Sequence, residues 1–185
     1  MIIERATAKD LDVLLAFRRE AAVWLSALGT DQWQRPYPAV RLLDTIEAGS
    51  VFMVRDGSTT AATITLTPEP GEGLWNEEEL REKSLFVNKL TVARTHAGRG
   101  LGGRLLDWAG GQAHRSGAVW LRLDAWSTNR QLQDYYLRHG FQHVRTVMDG
   151  EAVTGGPRVS GWLAQRPAHP VRDGSADAVR GPRLS

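Results

Sequence analysis

Four glycines fall within six residues in the segment His96-Ala97-Gly98-Arg99-Gly100-Leu101-Gly102-Gly103, between an apolar strand-like run ending at Val92 and a helical run beginning at Leu101. No other stretch constrains the fold as tightly. Glycines there let the backbone turn through positive φ and come close to a ligand, and the exposed N–H groups at a helix start favour an anion. Arg94, Arg99 and Arg104 add positive charge, so the segment reads as a phosphate-binding turn. No Gly-Lys-Ser/Thr ending follows, so it is not a Walker A loop. Gly98-x-Gly100-x-x-Gly103 satisfies the dinucleotide pattern literally, and Asp124 lies 21 residues beyond. A dinucleotide fingerprint, however, runs its strand almost directly into the first glycine and needs several further strand–helix units. Here Val92 lies six residues before Gly98.

The rest of the chain supplies elements in a definite order. Ile2, Ile3 and Arg5 suggest a first strand. Thr7 to Asp10 resembles a capping box, and apolar residues from Leu11 to Leu28 recur at three and four before Gly29. A loop with Trp33, Pro36, Tyr37 and Pro38 precedes a second helix from about Ala39. Val51 to Val54, the Asp56-Gly57 hairpin signal and Ala61 to Thr67 predict a strand pair. Further strands are expected at Ser84–Val92, Ala118–Trp126, Phe141–Met148 and Val159–Leu163, with helices at Leu101–Arg115 and Asn129–Arg138. Hairpins early and strand–helix–strand units late predict a mixed-sheet α/β (α+β) domain of about seven strands and three to four helices.

Composition narrows the function classes. The 185 residues suit one domain, and 42% hydrophobic with 24% charged residues is ordinary globular usage. There is no cysteine, which removes disulfides, thiolate catalysis and cysteine-ligated zinc together. The net charge of +2 equals the excess of Arg166, Arg172, Arg180 and Arg183 over Asp173 and Asp177 in residues 164–185, which leaves residues 1–163 neutral with 19 basic and 19 acidic groups. The expected organisation is a domain over 1–163 and a disordered Arg/Pro/Gly-rich tail over 164–185, with no nucleic-acid partner. No signal peptide or span of ~20 apolar residues is legible, so a cytoplasmic location and no membrane association are expected. His139-x-x-x-His143 has two-ligand spacing but spans Gly140 and lacks a third ligand, so no metal is expected.

Leu90-Thr91-Val92 followed by Gly98-Arg99-Gly100-Leu101-Gly102-Gly103 resembles the acetyl-CoA loop of the GNAT superfamily of N-acetyltransferases. Asn129 and Tyr136-x-x-x-Gly140-Phe141 resemble that superfamily's second signature, 26 residues on from Gly103. The resemblance extends over residues 1–163. It implies a mostly antiparallel sheet with a strand pair that splays at the cofactor site, acetyl-CoA as cofactor, and direct acetyl transfer to a primary amine in a ternary complex. It is compatible with a homodimer. Ala97 stands where the family usually has Arg or Gln, so binding would rely on backbone N–H groups and neighbouring arginines. A non-catalytic acyl-CoA-binding or sensory domain on the same fold is the second reading, and a dinucleotide-binding protein the third.

The resemblance assigns cofactor contacts to Leu90, Thr91, Val92, Gly98, Arg99, Gly100, Leu101, Gly102, Gly103 and Asn129, the last with helix capping as an alternative. It places Tyr136 where the family's general acid sits; a phenol is protonated at neutral pH and can donate to a thiolate. Asp124 is the base candidate, on the strand face opposite Leu121, Leu123 and Ala125, with a structural salt bridge or hydrogen bond to Arg122 or to a loop as the alternative. His96 and Glu78 are other base candidates. For the acceptor, the resemblance points to Trp24, Trp33, Tyr37 and Glu78, because aromatic and acidic groups suit a cationic amine. The acceptor could be a small molecule, an amino acid or a peptide N-terminus.

Overall fold

The structure, a computed structural model, describes residues 1–152 and 156–170. Strand β1 (Ile2–Arg5) leads through a 3-10 turn (Ala8–Asp10) into α1 (Leu11–Ala27). The Asp10 carboxylate accepts hydrogen bonds from the Thr7 N–H (2.8 Å) and hydroxyl (2.9 Å). It also pairs with Arg55 at 2.7 Å, which ties the helix start to the sheet. After α2 (Ala39–Glu47) come β2 (Val51–Asp56) and β3 (Thr59–Thr67), joined by the expected turn with Gly57 at φ 60°. A one-turn helix α3 (Glu77–Leu80) precedes β4 (Ser84–Val92), α4 (Leu101–Arg115), β5 (Trp120–Trp126), α5 (Arg130–Arg138), β6 (Gln142–Thr146) and β7 (Ser160–Pro167). Periodicity over four residues is too short to reveal α3. Its signal is Asn76-x-x-Glu79, where Asn76 Oδ1 accepts from the Glu79 N–H and Glu79 accepts from the Asn76 N–H, both at 2.9 Å.

The seven strands form one sheet in the order β1-β2-β3-β4-β5-β7-β6. Among the six strand pairs only β4 and β5 are parallel, so the mixed, mostly antiparallel sheet is present and a doubly wound dinucleotide fold is not. Period-two alternation sends Phe52, Val54, Leu85 and Val87 to one face, where α4 and α5 bury them with Leu105, Leu106, Trp108 and Tyr136. The opposite face packs Val51 and Met53 under α1 and α2 through Leu14, Leu42 and Ile46. Phe86 and Leu163 lie on a third cluster with Leu74 and Trp75. Arg122 is 1% exposed in that layer. It lies 4.6 Å from the Trp75 ring, donates to the Glu79 carbonyl at 2.7 Å and to Gln165 at 3.0 Å.

The expected domain boundary at residue 163 falls inside β7, which runs on to Pro167. Arg166, assigned to a tail by its composition, is buried instead. It donates to the carbonyls of Leu106 (2.6 Å) and His139 (2.8 Å), and so pins the last strand to α4 and to the end of α5. Gln165, Arg166 and Pro167 look like tail residues by composition, yet they belong to the strand. The pairing of Trp120 with Pro167, Leu121 with Arg166 and Arg122 with Gln165 is invisible locally. The expected disorder of residues 171–185 lies outside the described residues.

Parallel pairing of β4 with β5 covers only four registers, from Ser84 with Trp120 to Val87 with Leu123. Beyond them β4 follows β3 alone, and β5 follows β7 alone from Asp124 to Trp126. The register to β3 shifts between Thr65, which faces Asn88, and Thr63, which faces Thr91, so one residue opposes Lys89 and Leu90 together. This is a β-bulge, and Lys89 carries it at φ 51°. The bulge bends β4 away from β5 and opens the sheet.

Candidate functional site

The opened seam leads into a cleft of about 980 Å³, within the usual range for small-molecule sites. Its floor is β4 and β5, one wall is α1 with the following loop, and one end is the glycine turn. Gly98 (φ 75°) and Gly100 (φ 69°) adopt the left-handed backbone that the sequence suggested. Gly100 is the N-cap of α4, and no side chain caps this helix. Its first N–H groups therefore remain for an anion, at the positive end of a 15-residue helix. Arg104 braces the turn by donating to the Arg99 carbonyl at 2.9 Å. Gly98, Gly100, Leu101 and Gly102 line the cleft with Leu90, Thr91 and Val92. Arg99 and Gly103 do not: Arg99 is exposed, and Gly103 lies against the His139 ring. A side chain at Gly102 would strike the Tyr135 hydroxyl.

Asp124 and Tyr136 both line this cleft. Asp124 leaves β5 where pairing with β4 has ended, and its carboxylate accepts a hydrogen bond from Ser160 Oγ. Burial pushes the Asp124 carboxyl above its ordinary range, against the opposing pull of Ser160 and of the Lys89 and Arg158 charges. Tyr136 projects from α5, 7% exposed, with its ring 5.7 Å from both Tyr135 and Phe141. Burial foremost, then Tyr135 and the Asp124 charge, push its phenol well above the ordinary value of 10. Arg122 contacts Glu79 and Gln165 rather than Asp124, so the structural alternative for Asp124 is a bond to Ser160, not to Arg122.

Asn129 lines the cleft but is also the N-cap of α5. Its Oδ1 accepts from the Leu132 N–H at 3.0 Å, and its Nδ2 donates to Gln32 at 2.8 Å. With the Trp126 indole donating to Asp31 at 2.7 Å, it anchors the loop between α1 and α2 to the end of β5. His96 has both ring nitrogens engaged, with Thr95 at 2.9 Å and Asp56 at 3.2 Å. Glu78 is exposed on α3 and does not line the cleft. Its neighbour Glu79 is held below the usual carboxylate range, foremost by hydrogen bonds from Arg145. His139 packs on Tyr135 (4.5 Å), whereas His143 stacks on Trp162 (5.1 Å).

Trp24, Trp33 and Tyr37 all line the cleft, and each already has a cation of the chain over its ring. Arg94 lies 4.8 Å from the Trp24 ring, Arg18 lies 4.6 Å from Trp33 and 4.8 Å from Tyr37, and Lys89 lies 4.7 Å from Tyr37. Sequence reasoning missed Arg18, Lys89, Arg158 and Ser160. Lys89 had a signal, the one charged residue of strand β4. Ser160 acts only through the pairing of β5 with β7.

The model of the Acetyltransferase (GNAT) family matches residues 18–141. The chain belongs to the GNAT acetyltransferase family. It is 31% identical over 151 residues to the uncharacterised N-acetyltransferase YesJ of Bacillus subtilis strain 168, covering 78% of this chain and 83% of YesJ. Its fold is similar to that of a GNAT-family acetyltransferase from Listeria monocytogenes, with TM-score 0.70 and 21% identity over 89% of this chain and 93% of that one. It is also similar to yncA, a putative acetyltransferase of Salmonella typhimurium solved with its cofactor acetyl-CoA, at TM-score 0.62 and 19% identity over 93% of this chain and 97% of that one. The sequence motifs in this acetyltransferase thus mark its family, and acetyl-CoA is the cosubstrate that family uses. Among the described residues no helix is long and apolar enough to cross a membrane.

Proposed function

We propose that this protein is an N-acetyltransferase that acetylates a primary amine directly from acetyl-CoA. The observation that carries the reading is that Asp124 and Tyr136 line the same cleft, where β4 and β5 part, as the glycine turn does, with the Asp124 charge acting on the Tyr136 phenol. The cofactor contributes an activated acetyl thioester and an anionic pyrophosphate. The uncapped start of α4, with Gly98 and Gly100 in left-handed conformations and Arg94 and Arg104 nearby, suits that pyrophosphate. Leu90, Thr91 and Val92 offer the free side of a strand along which an extended pantetheine arm fits. Asp124, more basic than an ordinary carboxylate, takes a proton from the attacking amine. Tyr136 Oη keeps its proton through the alkaline range and holds it toward the sulfur. With no cysteine in the chain, no acyl-cysteine step is available, so the amine attacks in a ternary complex.

Thiol release from acetyl-CoA in the presence of an amine panel tests this reading. Amine-dependent release supports it. Binding of CoA without release under any amine would favour an acyl-CoA-binding domain instead. Gly100→Ala tests the cofactor end separately. A Cβ there has room, the nearest atom being Arg104 Nη1 at 3.8 Å, but φ 69° forces an L-residue into the left-handed region at about 1–2 kcal/mol. A fall in Tm of about 2–8 °C and weaker CoA binding by calorimetry are expected. Unchanged CoA affinity would place the pyrophosphate elsewhere.

A further inference from the structure

The end of the cleft away from the glycine turn holds two cations on one aromatic ring. Arg18 and Lys89 both lie within 4.8 Å of the Tyr37 ring, and Arg18 also lies 4.6 Å from Trp33. Aromatic faces satisfy the faces of a guanidinium, but its hydrogen-bonding capacity lies along its edge. The Arg18 Nε is buried with no hydrogen-bond partner among the described residues. No described carboxylate lies within ion-pair distance of Arg18 or Lys89, although Glu20, Glu72, Asp124 and Glu151 line other parts of the cleft. Burial without a counter-ion pulls the Arg18 pKa down to about 10. A guanidinium buried without a counter-ion keeps an unmet demand for a hydrogen-bonding anion, and a carboxylate in the cleft would answer it.

The same pocket adjoins the reacting groups, since the Lys89 charge acts on Asp124. Its walls are closed on one side by the loop between α1 and α2, anchored through Asp31 to Trp126 and Gln32 to Asn129. On the other side Arg158 bridges the carbonyls of Glu72 (2.8 Å) and Asp149 (2.7 Å). Such an enclosure suits a small acceptor.

We infer that the acceptor is a small amino acid-like zwitterion, its carboxylate held by Arg18 and Lys89 and its amine presented to Asp124. This rests on the N-acetyltransferase reading and reverses the charge that the aromatic and acidic residues of the sequence suggested for the acceptor pocket. Arg18 supplies edge-on N–H donors, stacking on Trp33 and Tyr37 holds the guanidinium, and Lys89 adds a second donor from the bulge of β4.

The test pairs each standard L-amino acid with its α-amide and its decarboxylated amine. Binding to the CoA-saturated protein is measured by calorimetry, and thiol release from acetyl-CoA is measured with the same compounds. At least one acid should bind, with its amide and amine weaker by about tenfold or more, as expected for a lost charge-assisted pair. Arg18→Gln should erase that preference mainly by raising KM, Arg18→Lys should restore part of it, and Lys89→Gln provides an independent reduction if Arg18→Gln fails to fold. Acids that bind with this preference but release no thiol would overturn the transferase reading, and with it the acceptor role, while leaving Arg18 and Lys89 as a carboxylate-binding site. Amides or simple amines that bind or react as well as the acids, or a panel in which no acid binds, would overturn this inference.

Discussion

Replacing Asp124 by Asn should lower kcat by about 10²–10⁴-fold, the usual contribution of a positioned general base, while making the protein more stable at neutral pH. The two effects share one cause. Burial raises the Asp124 carboxyl pKa in the fold, outweighing the Ser160 hydrogen bond and the Lys89 and Arg158 charges. A raised folded-state pKa means the fold favours the protonated acid. Below the unfolded carboxylate pKa of about 3.9, folded and unfolded chains are both protonated and no cost exists. As pH rises through the folded pKa the ionised form becomes destabilising, so stability is lost in that direction. Asn stays neutral at every pH and can still accept from Ser160. The higher Tm of the variant at pH 7–8 should therefore shrink toward zero in acid. The wild-type rate should rise with pH along a limb displaced above the ordinary carboxylate range, and Asp124→Asn should lose that limb. Differential scanning and a pH–rate profile read both effects. An unchanged kcat would remove Asp124 from the chemistry.

Tyr136→Phe should leave folding nearly intact and cut kcat by about 10²-fold. The ring keeps its edge contacts with Tyr135 and Phe141, so the loss falls on the hydroxyl alone, and KM for acetyl-CoA should change little. Because burial, Tyr135 and Asp124 push the phenol pKa upward, the hydroxyl stays protonated across the assay range. The wild-type profile should accordingly have no alkaline limb that vanishes in Tyr136→Phe. A variant that retains the full rate at every pH would make Tyr136 a packing residue and would return the proton donor to water.

What could be read in advance was local. Gly98 and Gly100 announce a left-handed turn because other residues pay a steric penalty there, and Asn129 announces a helix cap because its amide can bond the Leu132 N–H three residues on. The extent of α4 follows from an apolar run of period 3.6. Glu79 shows the opposite case. A run of three glutamates resembles a solvated or amine-binding surface, yet this one caps its own helix and pairs with Arg145, 66 residues away. Arg166 likewise resembles a tail residue until β5 pairs with β7.

Taken alone, the sequence determined the family and the left-handed glycine turn at Gly98 and Gly100, because these depend on short motifs and on backbone preference. Tertiary structure decided the electrostatic character of the aromatic part of the cleft. Trp33 and Tyr37 in isolation invite a cation; Arg18 from α1 and Lys89 from a bulge in β4 already lie against those rings. Electrostatic character is a sum over groups brought together in space, strengthened as water is excluded, and groups as far apart in the chain as Arg18 and Lys89 acquire it only when the chain folds.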